Sequence, residues 1–267
     1  MDRERREPSG AGARSRAAAA AAALLLLGGC AAARFERSRL PPGLTGDFGP
    51  GPRIEGEHRT PITPERVRLT REYLALHNPE LAAALPARDL PSSIVFEPRM
   101  IVVHFTAVPT LEETLAVFAP LEIDAGREVV ARNGRLNVGI HFVVDRDGTI
   151  HALYPETVMA RHVIGLNHVA IGIENVGDAD LGGPAGRAPL TPAQLAANVA
   201  LVRELVRRHP AIECVIGHHE YRDVEHPAHP AHALFHEAVE GYRTQKVDPG
   251  RRFMKQLRRA LRRAAGG

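Results

Sequence analysis

Two kinds of hydrophobic pattern alternate along residues 61–267. Short β-branched or apolar runs bounded by turn residues predict buried strands, because a strand covered on both faces needs no polar positions. These runs span residues 100–105, 139–144, 149–154, 169–176 and 212–217. The segment Arg146-Asp147-Gly148-Thr149 is typical of a tight turn and predicts a hairpin between the second and third runs.

Helices are predicted between the strands by capping residues and by apolar positions at helical spacing. Thr63 followed by Pro64 opens a helix that runs to about His77, and Asn78-Pro79 ends it. Capping boxes at Thr110 and Thr191 introduce two more helices. A basic C-terminal helix, residues 252–263, carries an apolar row at four-residue spacing. Strands alternating with helices predict an α/β fold, a mixed central sheet flanked by helices in a single domain.

The first thirty residues are expected to be a targeting segment. Basic residues precede an apolar run from Ala17 to Leu27, which is too short to span a membrane as a stable helix and suits a signal peptide. The run ends at Cys30, followed by three alanines, and this resembles a bacterial lipobox. An ordinary secretory signal with an incidental cysteine is the alternative.

The resulting expectation is a lipoprotein signal peptide over residues 1–30, lipidated at Cys30. Residues 31–60, rich in Pro and Gly, would form a flexible tether, and 61–267 a catalytic domain with an N-terminal helical extension. The protein would then be anchored in the cell envelope, on the periplasmic side of the outer membrane in a diderm.

Charge and cysteine content narrow the possible functions. The net charge of +3 lies largely at the two ends of the chain and gives no indication of nucleic-acid binding. If Cys30 carries lipid, Cys214 has no intramolecular partner, and its place in an apolar strand predicts a buried structural thiol.

Side chains able to bind metal or move protons stand in or after three predicted strands. His104 and Glu174 lie within strands, His218 follows one, and Lys246 and Asp248 share a later segment. Two neutral imidazoles and a carboxylate suit zinc, and three protein ligands leave a fourth position for water. A nearby carboxylate can relay protons and an ammonium group can stabilise an oxyanion.

The same residues lie in motifs that resemble the type 2 N-acetylmuramoyl-L-alanine amidases. The motifs are Ile101-Val102-Val103-His104-Phe105-Thr106, Gly139-Ile140-His141-Phe142, Arg161-His162 through Asn167 to Ile171-Gly172-Ile173-Glu174, Ile216-Gly217-His218, and Lys246-Val247-Asp248-Pro249-Gly250. They occur in the family's order over about residues 95–258.

The resemblance implies a role for each matching residue. His104, His218 and Asp248 would bind one Zn²⁺ ion, Glu174 would act as general base and acid, and Lys246 would stabilise the transition state. The additional residues His162 and Asn167 would line the substrate groove. The bond cut would be the amide between N-acetylmuramic acid and L-alanine in peptidoglycan or muropeptides.

The sequence departs from the family pattern in three respects. Arg161 replaces a usual aromatic residue, and Ile140 stands where phage-type members carry a catalytic tyrosine. The stretch between His218 and Asp248 is long and histidine-rich, so that His226 is an alternative third ligand. The Lys-x-Asp pair is intact, which favours Asp248. The remaining loop histidines are expected to be solvated or to orient ligands.

Two other functions compete with the amidase. One is a non-catalytic peptidoglycan-binding module, which typically lacks a full ligand set. The other is a zinc hydrolase with a different substrate, such as a peptidase or deacetylase, which the match from Asn167 to Glu174 disfavours.

Overall fold

A computed structural model describes residues 35–44, 50–177 and 189–266. The predicted signal peptide and its Cys30 lie outside these residues. Among the described helices, no segment combines the length and the apolar character needed to cross a membrane.

A mixed sheet forms the centre, as the sequence predicts, and it has six strands, one more than the five predicted. Its strands are β1 (Ile54–Glu55), β2 (Met100–Phe105), β3 (Phe142–Val144), β4 (Ile150–Ala152), β5 (Ala170–Asn175) and β6 (Cys214–Gly217). Their spatial order is β1-β4-β3-β5-β2-β6. The β3–β4 pair is the predicted antiparallel hairpin, and the other four pairs are parallel.

Helices surround this sheet, and the predicted caps begin three of them. The helices are α1 (Pro64–His77), α2 (Pro79–Ala84), α3 (Leu111–Phe118), α4 (Glu128–Ala131), α5 (Pro192–Arg208) and α6 (Arg251–Ala265). The side chains of Thr63, Thr110 and Thr191 each accept a hydrogen bond from a backbone amide in the first turn. These bonds satisfy amides that the helix itself leaves unpaired.

Both faces of the central strands are buried. In β2, Ile101 and Val103 face α5 and α6, whereas Met100 and Val102 face the opposite layer. All four side chains are fully buried, which explains why β2 has no polar alternation before His104. Each such aliphatic side chain contributes about 1.5–3 kcal/mol on burial.

The start of the folded region differs from the tether predicted over residues 31–60. Phe35 and Leu44 are buried, the Leu40 amide donates to the Glu213 carbonyl beside β6, and Ile54 pairs with β4 at the opposite edge. This segment therefore contacts both edges of the sheet. Its scattered apolar residues, hidden among prolines and glycines, explain why it packs.

Two further details compare with the sequence prediction. The strand predicted to begin at residue 139 begins at Phe142, because the Gly139 amide donates to the Arg161 carbonyl in a loop. Cys214 is a buried free thiol, as predicted, and burial raises its pKa to about 11.

Candidate active site

Three adjacent parallel strands bring the predicted residues to one edge of the sheet. In the central order β5-β2-β6, His104 is directly opposite Glu174. Val103 is opposite Gly217, so His218 is the first residue beyond β6 at the same edge. The carboxyl ends of parallel strands are the usual place for a site in such sheets.

Asp248 joins the two histidines from the segment before α6. Nδ1 of His104 lies 2.9 Å from Nδ1 of His218, and Oδ2 of Asp248 lies 3.2 Å and 2.9 Å from these two nitrogens. All three residues are buried. Although burial alone would raise it, the pKa of Asp248 is held well below its ordinary range by His218 and His104.

Hydrogen bonds of His162 determine which nitrogen of His104 carries a proton. Nε2 of His162 lies 3.1 Å from the Ala170 carbonyl, and Nδ1 of the same ring lies 3.1 Å from Nε2 of His104. A neutral His162 that donates to Ala170 therefore accepts from His104. His104 in turn keeps an unprotonated Nδ1 facing Asp248.

The tautomer of His104 bears on whether the three residues fit a metal ion. Nδ1 of His104 and Oδ2 of Asp248 are then two acceptors 3.2 Å apart with no hydrogen between them. A metal cation between the two atoms would remove the repulsion between these acceptors. Ligand bonds of about 2.0–2.2 Å in a tetrahedral zinc site place ligand atoms about 3.3 Å apart, close to the separations here. The donor set and its spacing fit zinc.

A buried ion pair anchors the turn that carries His218. Glu220 accepts hydrogen bonds from the Gly217 amide and from the guanidinium of Arg258 on α6. The His219 amide donates to the Asp248 carbonyl at 2.9 Å. These bonds connect β6 and α6 with His218 and Asp248. The two candidate ligands that come later in the sequence are therefore held by one hydrogen-bonded unit.

Glu174 and Lys246 lie on the cavity beside the three ligands. Burial, and next the Asp248 carboxylate, raise the pKa of Glu174 well above its ordinary value. Lys246 and Arg127 oppose this by favouring the charged form. A carboxyl group with a raised pKa can accept a proton and later donate it near neutral pH.

A cavity of about 260 Å³ opens from these residues. Part of its lining is apolar and comes from β2, α3, α4 and the neighbouring loops. The apolar lining residues are Phe105, Val117, Phe118, Val130, Val138, Val163 and Ile164. Arg127, Arg161 and Lys246 add positive charge to the lining. The cavity can take a ligand that is partly apolar and partly anionic.

The residues predicted to bind substrate line this cavity, but their polar atoms already have partners. Besides the His162 contacts above, Oδ1 of Asn167 accepts from the amides of His162 and Val163, both at 2.8 Å. Nδ2 of Asn167 donates to the Tyr73 hydroxyl. Both residues hold the loop in place, and their contact with substrate stays a prediction.

Arg161, which departs from the family pattern, has a structural role. Its guanidinium donates to four carbonyls between Val130 and Leu136 and lies 4.7 Å from the centre of the Tyr73 ring. It therefore fixes the segment from Val130 to Leu136, of which Val130 lines the cavity. His141, expected near the site, is fully buried and bridges the Gly172 amide and the Val158 carbonyl.

His226, the alternative third ligand, lies away from the metal cluster. Its ring packs 5.1 Å from that of Phe35, and its Nδ1 accepts from the Ala228 amide. His229 is buried and reaches Ser38, so the expectation of a solvated loop is wrong for this residue. Both histidines contact the segment 35–38, whose packing the sequence did not reveal.

Other cavity residues were not predicted from the sequence. Tyr73 comes from α1, Arg127 from the turn before α4, and Tyr242 and Thr244 from the segment before Lys246. None of these residues belongs to a family motif, and Tyr73 and Arg127 are distant in sequence from the candidate ligands. The one available signal for Tyr73 was its place on the apolar face of a predicted helix.

Comparison with known proteins gives a consistent result. The family described as N-acetylmuramoyl-L-alanine amidase matches residues 95–251. The endolysins of Enterobacteria phage K11 and Escherichia phage T7 are 34% and 37% identical over 87 residues, which cover 33% of this chain and 56% of each relative. The chain thus spans about half the length of these curated relatives.

A similar solved structure is the N-acetylmuramoyl-L-alanine amidase LysC from Clostridium intestinale URNW. It is 28% identical, with a TM-score of 0.35, and the match covers 52% of this chain and 83% of that one.

Proposed function

The chain belongs to the N-acetylmuramoyl-L-alanine amidase family, and from this premise we propose that it is a zinc-dependent amidase. Its substrate would be the amide between N-acetylmuramic acid and the L-alanine of a peptidoglycan stem peptide. The observation that carries the proposal is the convergence of His104, His218 and Asp248 beside Glu174, at one end of a cavity.

Each residue of the site would have a separate role in the reaction. His104, His218 and Asp248 would hold the ion, which when bound supplies Lewis acidity and lowers the pKa of water towards 7. Glu174 would take the proton from the attacking water and pass it to the departing amine of L-alanine. Lys246 would stabilise the negative charge that develops on the amide oxygen.

The cavity supports a muropeptide as the substrate class. A stem peptide carries carboxylates, and Arg127 and Lys246 face the cavity with positive charge. The apolar part of the cavity lining can cover the methyl groups of the lactyl unit and of alanine. Intact wall and shed fragments share this chemistry.

We also propose a location in the cell envelope, through a lipid on Cys30. The proposal rests on the sequence from Arg3 to Ala33 alone. Fractionation of cells that express the full chain, with a Cys30→Ser variant as control, tests it. Recovery of the unaltered chain in the cytoplasm would overturn it.

The amidase proposal is tested by digesting purified muropeptides and analysing the products by mass spectrometry. Release of intact stem peptides with a free L-alanine amine is the expected result. A protein that binds muropeptides without cleaving them would be a binding module, and cleavage within the peptide would indicate a peptidase. Metal analysis of the same sample should give zinc.

A further inference from the structure

A second cluster of metal-binding side chains lies at the opposite edge of the sheet from β6. It comprises Glu57 and His58, on the turn after β1, and His151 in β4. One ligand atom from each residue lies within 4.8 Å of the others. None of these residues belongs to the amidase motifs or lines the cavity described above.

The position of the turn follows from backbone pairing on both sides. Before the turn, Glu55 is the parallel partner of His151. After it, the Thr60 amide donates to the Leu153 carbonyl at 2.8 Å. Because both ends are attached to β4 or its continuation, Glu57 and His58 are held over His151.

The side chains lie close enough together to converge on a metal ion. The rings of His58 and His151 lie 5.1 Å apart, and Nε2 of His58 is 3.2 Å from a Glu57 carboxylate oxygen. His151 is 5% exposed, and its Nδ1 is buried with no hydrogen-bond partner among the described residues. A buried polar atom without a partner is costly, and a bound cation would remove that cost.

We propose that Glu57, His58 and His151 form a second metal site that takes a divalent transition-metal ion such as Zn²⁺. Two imidazoles and a carboxylate suit zinc, nickel or copper, whereas magnesium and calcium prefer sites made of oxygen ligands. His58 is half-buried and Glu57 is exposed, so both can move the short distance needed to close around an ion and leave a position for water.

The site would attach the N-terminal segment to the sheet. Glu57 and His58 follow β1, and His151 lies in β4, so the ligands come from both strands of this pair. β1 is an edge strand of two residues. So short a pair is weak by itself, and a shared ion would stabilise it. Ion binding would therefore couple to the docking of the chain that leads from the predicted anchor to the catalytic domain.

Metal titration of the full chain tests this inference independently of any amidase activity. Metal-free protein is titrated with Zn²⁺ against a chromophoric chelator, in parallel with His58→Ala and Glu57→Gln. His226→Ala serves as a matched control, since His226 belongs to neither cluster. We expect two equivalents for the unaltered protein and the control, and one for His58→Ala, with weaker second binding for Glu57→Gln.

Hydrogen exchange locates the second ion. The amides of Glu55 and Thr60 should exchange more slowly after the second equivalent in the unaltered protein and not in His58→Ala. Zinc binding that His58→Ala leaves unchanged, at one equivalent or at two, or no slowing at these amides would each overturn the inference, whereas a single equivalent that His58→Ala abolishes would count against the catalytic site only. His58 lies on a surface turn, so circular dichroism should show His58→Ala folded.

Discussion

Nε2 of His104 lies 3.1 Å from Nδ1 of His162, and this contact connects a metal ligand to the Ala170 carbonyl through a second histidine. The chain of hydrogen bonds selects the tautomer in which His104 presents a free Nδ1 lone pair. We therefore expect His162, predicted as a substrate-binding residue, to orient His104 towards a bound metal ion.

Replacing His162 should therefore weaken zinc binding before it affects substrate binding. We expect His162→Ala to lower zinc affinity roughly 10- to 100-fold, the usual cost of losing a partner behind a metal ligand. Chelator competition measures this, with His226→Ala as the control. Unchanged zinc affinity together with a raised KM would instead assign His162 to the substrate.

Glu174 is expected to act on protons and not on the metal. Glu174→Gln preserves size and removes the ability to accept a proton, so zinc content should stay at the level of the unaltered protein. Turnover of muropeptides should fall roughly 10²- to 10⁴-fold, the range for loss of a general base. Retention of most activity at full zinc loading would show that another group moves the proton.

Sequence pattern predicted five of the six strands and the capped helices, because each depends on local periodicity or capping residues, and the motif resemblance singled out His104, His218 and Asp248, which the fold brings together. His104 and Glu174 could be placed together since parallel strands end at one edge. The cavity wall could not be predicted in this way. Tyr73 and Arg127 reach it only through the packing of elements far apart in sequence.

The N-terminal segment illustrates the same limit. Phe35 and Leu44 are isolated apolar residues in a stretch rich in Pro and Gly, and no period marks them as buried. Their partners lie far along the chain, around His226 and in the core beneath α5 and α6. Composition predicted a flexible tether here and gave no indication of these distant contacts.

Acidification should destabilise the metal-free protein through His141. Burial lowers the pKa of this histidine to about 4, from an ordinary value near 6.5. Between these values the unfolded chain binds a proton that the folded protein does not. The stability contribution of neutral His141 is therefore complete above about pH 6.5 and is lost as the pH falls towards 4, by at most about 1.4 kcal/mol per pH unit.

Urea unfolding from pH 7 to pH 4.5 measures this dependence. His141→Gln should be less stable at pH 7, because the Gly172 amide and Val158 carbonyl lose their partner. Its free energy of unfolding should fall less steeply with acidification. His226→Gln, at an exposed position, should keep the slope of the unaltered protein. Equal slopes for all three proteins would contradict the assignment to His141.

Arg161 should control the shape of the cavity and leave the metal centre intact. Its guanidinium donates hydrogen bonds to four backbone carbonyls, including those of Gly134 and Leu136. Arg161→Ala leaves these acceptors without a donor, and we expect the free energy of unfolding to fall by about 3 kcal/mol. Arg161→Lys should recover little of this, because an ammonium group cannot reach four acceptors in the plane of a guanidinium.

The matched control is Arg135→Ala, which lies on the same loop. Arg135 forms an exposed ion pair with Glu122, and such solvent-screened pairs contribute little to stability. For muropeptide cleavage, Arg161→Ala should raise KM, with zinc affinity unchanged, because the guanidinium holds the segment that carries Val130, a residue of the cavity lining. Lower zinc affinity in Arg161→Ala, with KM unaltered, would place the arginine's influence at the metal and contradict this account.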